Sequence, residues 1–384
     1  MKIKIHKILQ LAKNSIEEYN LREAKLYLDI LDSKYVVDKN IMNYLWAKYF
    51  IANNDFNKAE KLLQNIHTGP FNNQSKYLIS KIKFSKGDFN DGDDFFKFRL
   101  TRGEKIDRKL YLEDKIQSPL WNFEKNTKVL IWQDFALGET ILLLRILSLI
   151  NIDTCDITIL IDPRLIPLFE NNFQNLKFVD YNYPIETNNY DYHLPIGSLI
   201  EFFKKNNFEK FNFEPLKLKK SYKKNNDNIC LFFSGEGNKD NKHKRISDLM
   251  VIELLNPLKD NFSFTLINRN NHLDYFARLL DRNNFNFSYP SSNIYNDFEN
   301  LAEIFLSSRA SIMTSCSEAY ISASVGTKTV LLYNQNFPSH WMWHNSDKNM
   351  KNKWFSDMYT LKFYWDEKNC ILKDKKRIKD ILLC

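Results

Sequence analysis

Glycine is scarce in this 384-residue chain, at 9 residues, and proline little commoner, at 10. That excludes collagen-like and low-complexity classes and makes each glycine worth reading individually. Cysteine is confined to Cys155, Cys230, Cys316, Cys370 and Cys384, an odd set with no CxxC pair. This excludes a zinc-finger pattern and a disulfide framework, and predicts free thiols in a reducing compartment. No apolar run of about 18 residues occurs. The longest stretch, 141–150, is interrupted by Arg145. The opening segment MKIKIHKILQLAKNSIEEYN carries charge throughout, with no signal-peptide core. The expectation is a cytoplasmic protein without a transmembrane segment, with peripheral membrane contact left open.

What is present fits a globular protein. Hydrophobic residues make up 43% and charged residues 27%, and the length suits two or three domains of roughly 100–200 residues. Aromatics at 15% can fill a sizeable core. The net charge of +8 suits an anionic ligand, but a coding bias toward Lys, Asn, Ile, Phe and Tyr produces it equally well.

Residues 1–105 read as helical repeats. Ala24, Ala59 and Gly92 each follow a turn and recur at a period near 34 residues, the tetratricopeptide spacing, with generic helical hairpins as the alternative. A small residue at the start of the second helix lets its partner approach. From Lys128 the pattern changes to strand, turn and helix: 128–132, then Glu139–Ile150, then 157–161, a Pro163-led helix to Asn171, and a strand from Phe178. A second such unit has strands at 229–233, 262–267, 310–313 and 327–332, helices at 248–258, 273–280 and 298–307, and a last helix within 373–383. The predicted class is α/β: two Rossmann-like domains, 106–220 and 221–384, behind an all-α repeat domain, with the final helix a candidate to pack back on the first of them. The charged stretch KLKKSYKKNN at 217–226 reads as the linker. With no aromatic platform or motif beside it, nucleic acid is not expected. Ligands bind such sheets outside the carboxyl ends of their strands.

Four constellations sit at those ends. In Ala136-Leu137-Gly138-Glu139-Thr140, with Arg145 beyond, Glu139 reads as a general base facing the cleft or as a first-turn acid favoured by the helix dipole. There is no GxGxxG and no P-loop lysine motif. Ser234-Gly235-Glu236-Gly237, followed by Lys242, His243, Lys244 and Arg245, reads as a pyrophosphate loop or a solvated basic loop. Ser315-Cys316-Ser317-Glu318-Ala319-Tyr320 reads as a phosphate- and ribose-holding helix start or a plain N-cap. Trp341-Met342-Trp343-His344, and His193 in DYHLP, could contact sugar or acceptor, but buried tryptophans and a structural histidine fit as well.

Taken in order, these blocks resemble tetratricopeptide-repeat proteins fused to a glycosyltransferase family 9 (heptosyltransferase-like) domain. The resemblance runs from GDFNDGDDFFKFRL (87–100) and Pro119-Leu120-Trp121 through QDFALGETILLLRIL (133–147), ITILIDPRLIPLF (157–169) and YDYHLPIGSL (190–199). It continues through LFFSGEGNKDNKHKRI (231–246), SCSEAYISASVGTKTVLL (315–332) and HWMWHNSDKNMKNKWFSDMYTLKF (340–363). It implies a GT-B fold and metal-independent, inverting transfer from a nucleotide-sugar donor to a glycan or protein hydroxyl. No cofactor is implied, and the helical repeats would meet a protein partner or acceptor. Glu139 falls on the family's catalytic acid, one methylene longer. Gly138, Thr140, Ser234, Gly235, Lys242, Arg245, Cys316, Ser317, Glu318 and Tyr320 fall on the donor side, and His193 and Trp343 on the acceptor or sugar side. Departures are Ala136 for a glycine, Ser315-Cys316 for Asp-Thr, Tyr320 for His and Met342 for Arg. They keep open a non-catalytic scaffold or sugar-nucleotide-binding protein. A metal-dependent transferase using Asp91-Gly92-Asp93 is disfavoured, because that triplet opens a helix outside both α/β units.

Overall fold

The computed structural model describes residues 2–100, 116–182, 184, 186, 189–205, 213–219, 222–234, 244–268, 270–290, 294–336, 341–366 and 369–383. Gly235 and Lys242 lie outside the described residues.

The helical region is three successive hairpins: α1 (Lys2–Glu17) with α2 (Leu21–Lys34), α3 (Lys39–Ala52) with α4 (Phe56–Gln64), and α5 (Asn72–Ser85) with α6 (Phe89–Phe96). Each hairpin turns on the same local device. Tyr19, Asn54 and Gly87 take positive φ, and the next residue's amide reaches back five positions, to Ser15, Phe50 and Lys83 carbonyls. That next residue, Asn20, Asp55 or Asp88, caps the second helix by accepting from the amide three residues on. Ala24 and Ala59 are fully buried. A Cβ at Gly92 would clash with the Phe84 ring, so the spacing read from the sequence is set by close helix contact.

The first α/β lobe has a parallel sheet ordered β3-β2-β1-β4, from β1 (Lys128–Trp132), β2 (Asp156–Ile161), β3 (Lys177–Asp180) and β4 (Tyr192–Pro195). After their first residue β1 and β2 are buried throughout, the pattern of strands covered on both faces. The helix predicted to run to Ile150 stops earlier: α7 (Leu137–Leu144) gives way to a 3-10 segment at Arg145–Leu149. The Pro163-led helix likewise begins as a 3-10 turn before α8 (Ile166–Glu170), and α9 (Phe202–Lys205) ends the lobe.

The second lobe is one sheet ordered β11-β10-β9-β8-β5-β6-β7. It is built from β5 (Asn225–Phe232), β6 (Ser263–Leu266), β7 (Phe287–Ser288), β8 (Ser308–Thr314), β9 (Lys328–Asn334), β10 (Met358–Asp366) and β11 (Asn369–Leu372), with only β11 antiparallel. Its helices are α10 (Asp248–Leu255), α11 (Asn270–Arg282), α12 (Phe298–Ser307), α13 (Ser317–Ser324), α14 (Trp341–His344) and α15 (Arg377–Leu383).

Three expectations need correction. The end of the presumed linker is strand, since Asn225 pairs with Ser308. The final helix does not return to the first lobe. Ile378 and Leu382 bury in the second lobe's core, and Arg309 and Lys328 donate to the carbonyls of Leu382 and Ile381. The third hairpin is not separate from the α/β part: Tyr77, Phe84, Phe89 and Phe96 belong to the same apolar core as Val129, Ile141 and Trp341.

Candidate active site between the lobes

The first lobe offers the turn 133–139, after β1. It is fastened at three points by groups that the folded chain alone brings together. Gln133 accepts from the Asp162 amide at 2.9 Å and donates to the Phe135 carbonyl at 2.8 Å. Asp134 accepts from the Gly197 amide and from Arg99 Nε, both at 2.8 Å. Thr140 Oγ1 donates to the Phe135 carbonyl. Arg99 and Asp134 are almost wholly buried, so each neutralises the other where water cannot. Thr140, expected at a donor phosphate, is buried and shapes this turn instead.

Glu139 leaves the turn half-buried, on the first turn of α7. Burial raises its carboxyl above the ordinary carboxylate range. Its own backbone amide, then Lys244 and then Lys81 pull the other way. The same Lys244 acts on Cys316, and Glu139 and Cys316 both act on Tyr320. An acid from the first lobe thus shares its surroundings with Lys244 and the start of α13 from the second. Burial pushes both the Cys316 thiol and the Tyr320 phenol well up, so neither is ionised near neutrality.

A second link joins the two lobes. Asp162 binds Arg164 through Nε and Nη2, both at 2.8 Å. The guanidinium sits 5.2 Å from the Phe298 ring centroid and within electrostatic reach of buried Glu318. Ser317 Oγ donates to Glu318 at 3.0 Å.

The second lobe's strand ends are joined by side chains. The Ser234 amide donates to Thr314 Oγ1 at 2.9 Å. Asn268 clamps Phe233 through both its carbonyl and its amide. The Arg245 backbone pairs with Ser234 and its carbonyl accepts from Trp365 Nε1, while the neighbouring Lys244 acts on Glu139.

Other expected site residues have structural work. Gly138 is covered by the Tyr320 ring, which an added Cβ would strike, so its glycine answers to an aromatic neighbour. His193 is buried in β4 and its Nδ1 accepts from Trp132 Nε1 at 3.1 Å. Trp343 is fully buried and donates to Ser315 Oγ at 3.0 Å, steadying the end of β8 from beneath. Neither is placed to touch an acceptor. Arg145 lies at the far end of α7, where its guanidinium donates to the carbonyls of Trp354, Phe213 and Glu214. Burial pushes it down to about 9, so it stays charged at neutral pH. A cavity of about 530 Å³ lies beside it, lined by Ser148, Asn172, Phe173, Pro215 and Lys217. Glu139 is not among the residues that line this cavity. Asp91 of the DGD triplet pairs with Lys83 at 2.9 Å on the helical region. Among the described residues, no group of three His, Cys, Asp or Glu side chains could hold a metal. No described helix is long and apolar enough to cross a membrane.

Sequence reading missed Asp134, Arg99, Asn268 and Lys81. An acid or amide directly after an apolar strand, as in Ile131-Trp132-Gln133-Asp134 and Leu266-Ile267-Asn268, was the available signal for two of them. For Arg99 the signal was the Phe98-Arg99 end of the repeat-like segment 87–100, and Lys81 had none.

No protein-family model and no curated protein matches the chain. Solved structures do. A glycosyl transferase family 9 protein from Veillonella parvula is 12% identical over 67% of this chain and 98% of its own, with a TM-score of 0.48. The E. coli ADP-heptose lps heptosyltransferase II is 9% identical over 67% and 98%, at 0.41. A Thermobaculum terrenum O-GlcNAc transferase variant is 10% identical over 86% and 83%, at 0.30.

Proposed function

We propose that the chain is a glycosyltransferase of the two-lobed GT-B kind, moving a sugar from a nucleotide-sugar donor to an acceptor hydroxyl with inversion and without a metal. The supporting observation is a carboxylate from a strand-end turn of one lobe, beside a glycine covered by the α13 ring of Tyr320 and within the electrostatic influence of Lys244 of the other lobe. Glu139 takes the proton of the acceptor hydroxyl, and that oxygen attacks the anomeric carbon. The bond from that carbon to the diphosphate oxygen breaks as the new one forms, and the nucleoside diphosphate leaves. Lys244, with Lys242 and Arg245 of the same loop, meets the negative charge growing on the leaving group, joined by the first-turn amides of α13. Burial that raises Glu139 brings its proton affinity nearer that of a working base at neutral pH.

The reading extends to the chain's organisation: helical repeats over 1–105, an acceptor-side lobe over 106–220 and a nucleotide-side lobe over 221–384, working in the cytoplasm. The hairpins, of tetratricopeptide type, are the surface for a protein partner or protein acceptor. One observation favours a second reading, a sugar-nucleotide-binding scaffold without turnover: the Tyr320 ring is pressed onto Gly138, filling the seam beside Glu139.

The test is a panel of nucleoside diphosphates and their sugars. Thermal stabilisation by one base, followed by transfer or slow donor hydrolysis that Glu139→Gln lowers at least 100-fold, is expected. Binding with no turnover selects the scaffold. Full turnover by Glu139→Gln removes the base assignment.

A further inference from the structure

None of the residues assigned to transfer lines the cavity beside Arg145. Its walls come from the chain after α7, the turn after α8 and residues 214–217, which lead from the first lobe to the second. These walls are tied to one another. Asn172 donates to the Lys217 carbonyl at 3.0 Å and accepts from the Lys217 amide at 2.8 Å. The Leu216 amide donates to the Ser324 carbonyl of the second lobe at 2.7 Å. The space of about 530 Å³ is thus held open by the fold, and small-molecule pockets run roughly 300–1,000 Å³. Half-buried Ile150, Ile152 and Phe173 give it an apolar side.

Arg145 gives it a charge. The residue is 3% exposed, and its guanidinium carbon lies 5.1 Å from the Phe213 ring centroid and 5.0 Å from that of Phe355. Nη1 donates to the Trp354 carbonyl, and Nη2 to those of Phe213 and Glu214. Every one of these acceptors is neutral. Nε and the second Nη1 hydrogen have no acceptor among the described residues. The carboxylates of Asp153 and Glu214 belong to exposed lining residues, and neither forms an ion pair with Arg145. Burial acts on the guanidinium with no carboxylate to offset it. A buried cation without a counter-charge is costly, and a guanidinium with open N–H groups is shaped to take an oxyanion.

We propose that this cavity is a second ligand site, for a small amphipathic anion: a carboxylate or phosphate head pairs with Arg145, and a short apolar body lies along Ile150, Ile152 and Phe173. Lys217, exposed on the lining, adds a second positive charge. The site does not depend on the transferase reading. Charge selects the head and apolar burial holds the body, so neither a free inorganic ion nor an uncharged alcohol satisfies both walls.

The experiment is a calorimetric titration of the full-length protein with hexanoate, hexyl phosphate, inorganic phosphate and, as the uncharged control, hexanol. At least one of the two hexyl anions is expected to bind about tenfold or more tightly than hexanol and than inorganic phosphate, and the better of them identifies the head group. Ser148→Trp fills the space from an exposed lining position and leaves Arg145 in place. It should weaken that anion about tenfold, with a melting temperature near the parent's. Arg145→Gln should erase the preference for the anion over hexanol, and if that variant does not fold, Ser148→Trp decides. Lys244→Met should bind the anion as the parent does. Anions that bind no tighter than hexanol, or a Ser148→Trp protein that binds as the parent does, overturn the proposal. Loss of binding in Lys244→Met assigns the anion to the Glu139 site and overturns it too.

Discussion

The first and third helical hairpins are built from the same local instructions and end in different places. Both turn on a positive-φ residue, Tyr19 or Gly87, and both cap the second helix with an Asx side chain, Asn20 or Asp88. The first hairpin then buries Ala24, Leu28 and Leu31 against its helical neighbours alone. The third is two-sided. Ile79 and Ile82 face the second hairpin, while Phe84, Phe89 and Phe96 meet Trp341, Trp354 and Phe135 of the α/β lobes. Asn345 donates to the Phe84 carbonyl across the same seam. A repeat's backbone is thus decided by turn and cap chemistry, and its role by which aromatic side chains it presents outward. The aromatic content that looked like coding bias is, in the third hairpin, the joint between the domains.

That contrast can be broken most forcefully at the buried ion pair. Asp134→Ala strands Arg99 without a counter-charge, which should cost about 3–5 kcal/mol in chemical denaturation. It should also loosen the turn that carries Glu139, abolishing activity as well as stability. Removing equivalent caps sharpens it. Asn20→Ala and Asp88→Ala should each lose about 1 kcal/mol of stability. Only Asp88→Ala should alter nucleotide binding or turnover, and equal functional loss in both would contradict the division drawn here.

The smallest effect is in pH dependence, where two acids should respond in opposite senses. Lys58, through its side chain and its amide, holds the Asp55 carboxyl low. Asp55 therefore lends stability above the ordinary carboxylate value, and that contribution fades as pH falls through its own lower value. Burial holds Glu139 high. Its ionisation costs nothing below the ordinary value, and the cost develops as pH rises toward and through the raised one. Glu139→Gln should accordingly match the parent in acid and melt higher at neutral pH. A neutral-pH melting point below the parent's would contradict this.

The parts of the fold legible in the sequence were those with a local cause. Apolar β-branched runs such as Lys128–Trp132 and Thr327–Leu332 showed as strands because strands covered on both faces are apolar throughout. The repeat period showed because small residues recur where helices touch. The short edge strand β4 did not: its four residues include a polar His193 and a proline, and its pairing with β1 is decided by position in the sheet. The hairpin of β10 and β11 was hidden in a segment read only as a tryptophan-rich block. In the site, the glutamate and its glycine turn were visible, and the basic loop was visible as a group. The core roles of His193, Trp343 and Arg145 are consequences of long-range packing.

The ring of Tyr320 lying flat on Gly138 has a mechanical meaning. One belongs to α13 and the other to α7, and no side chain separates them, so at this point the halves touch nearly backbone to ring. Arg145, at the opposite end of α7, grips the chain entering the second half. One short helix thus meets an aromatic ring at its first turn and three carbonyls at its far end, and a methyl group added at Gly138 would act as a wedge between the halves.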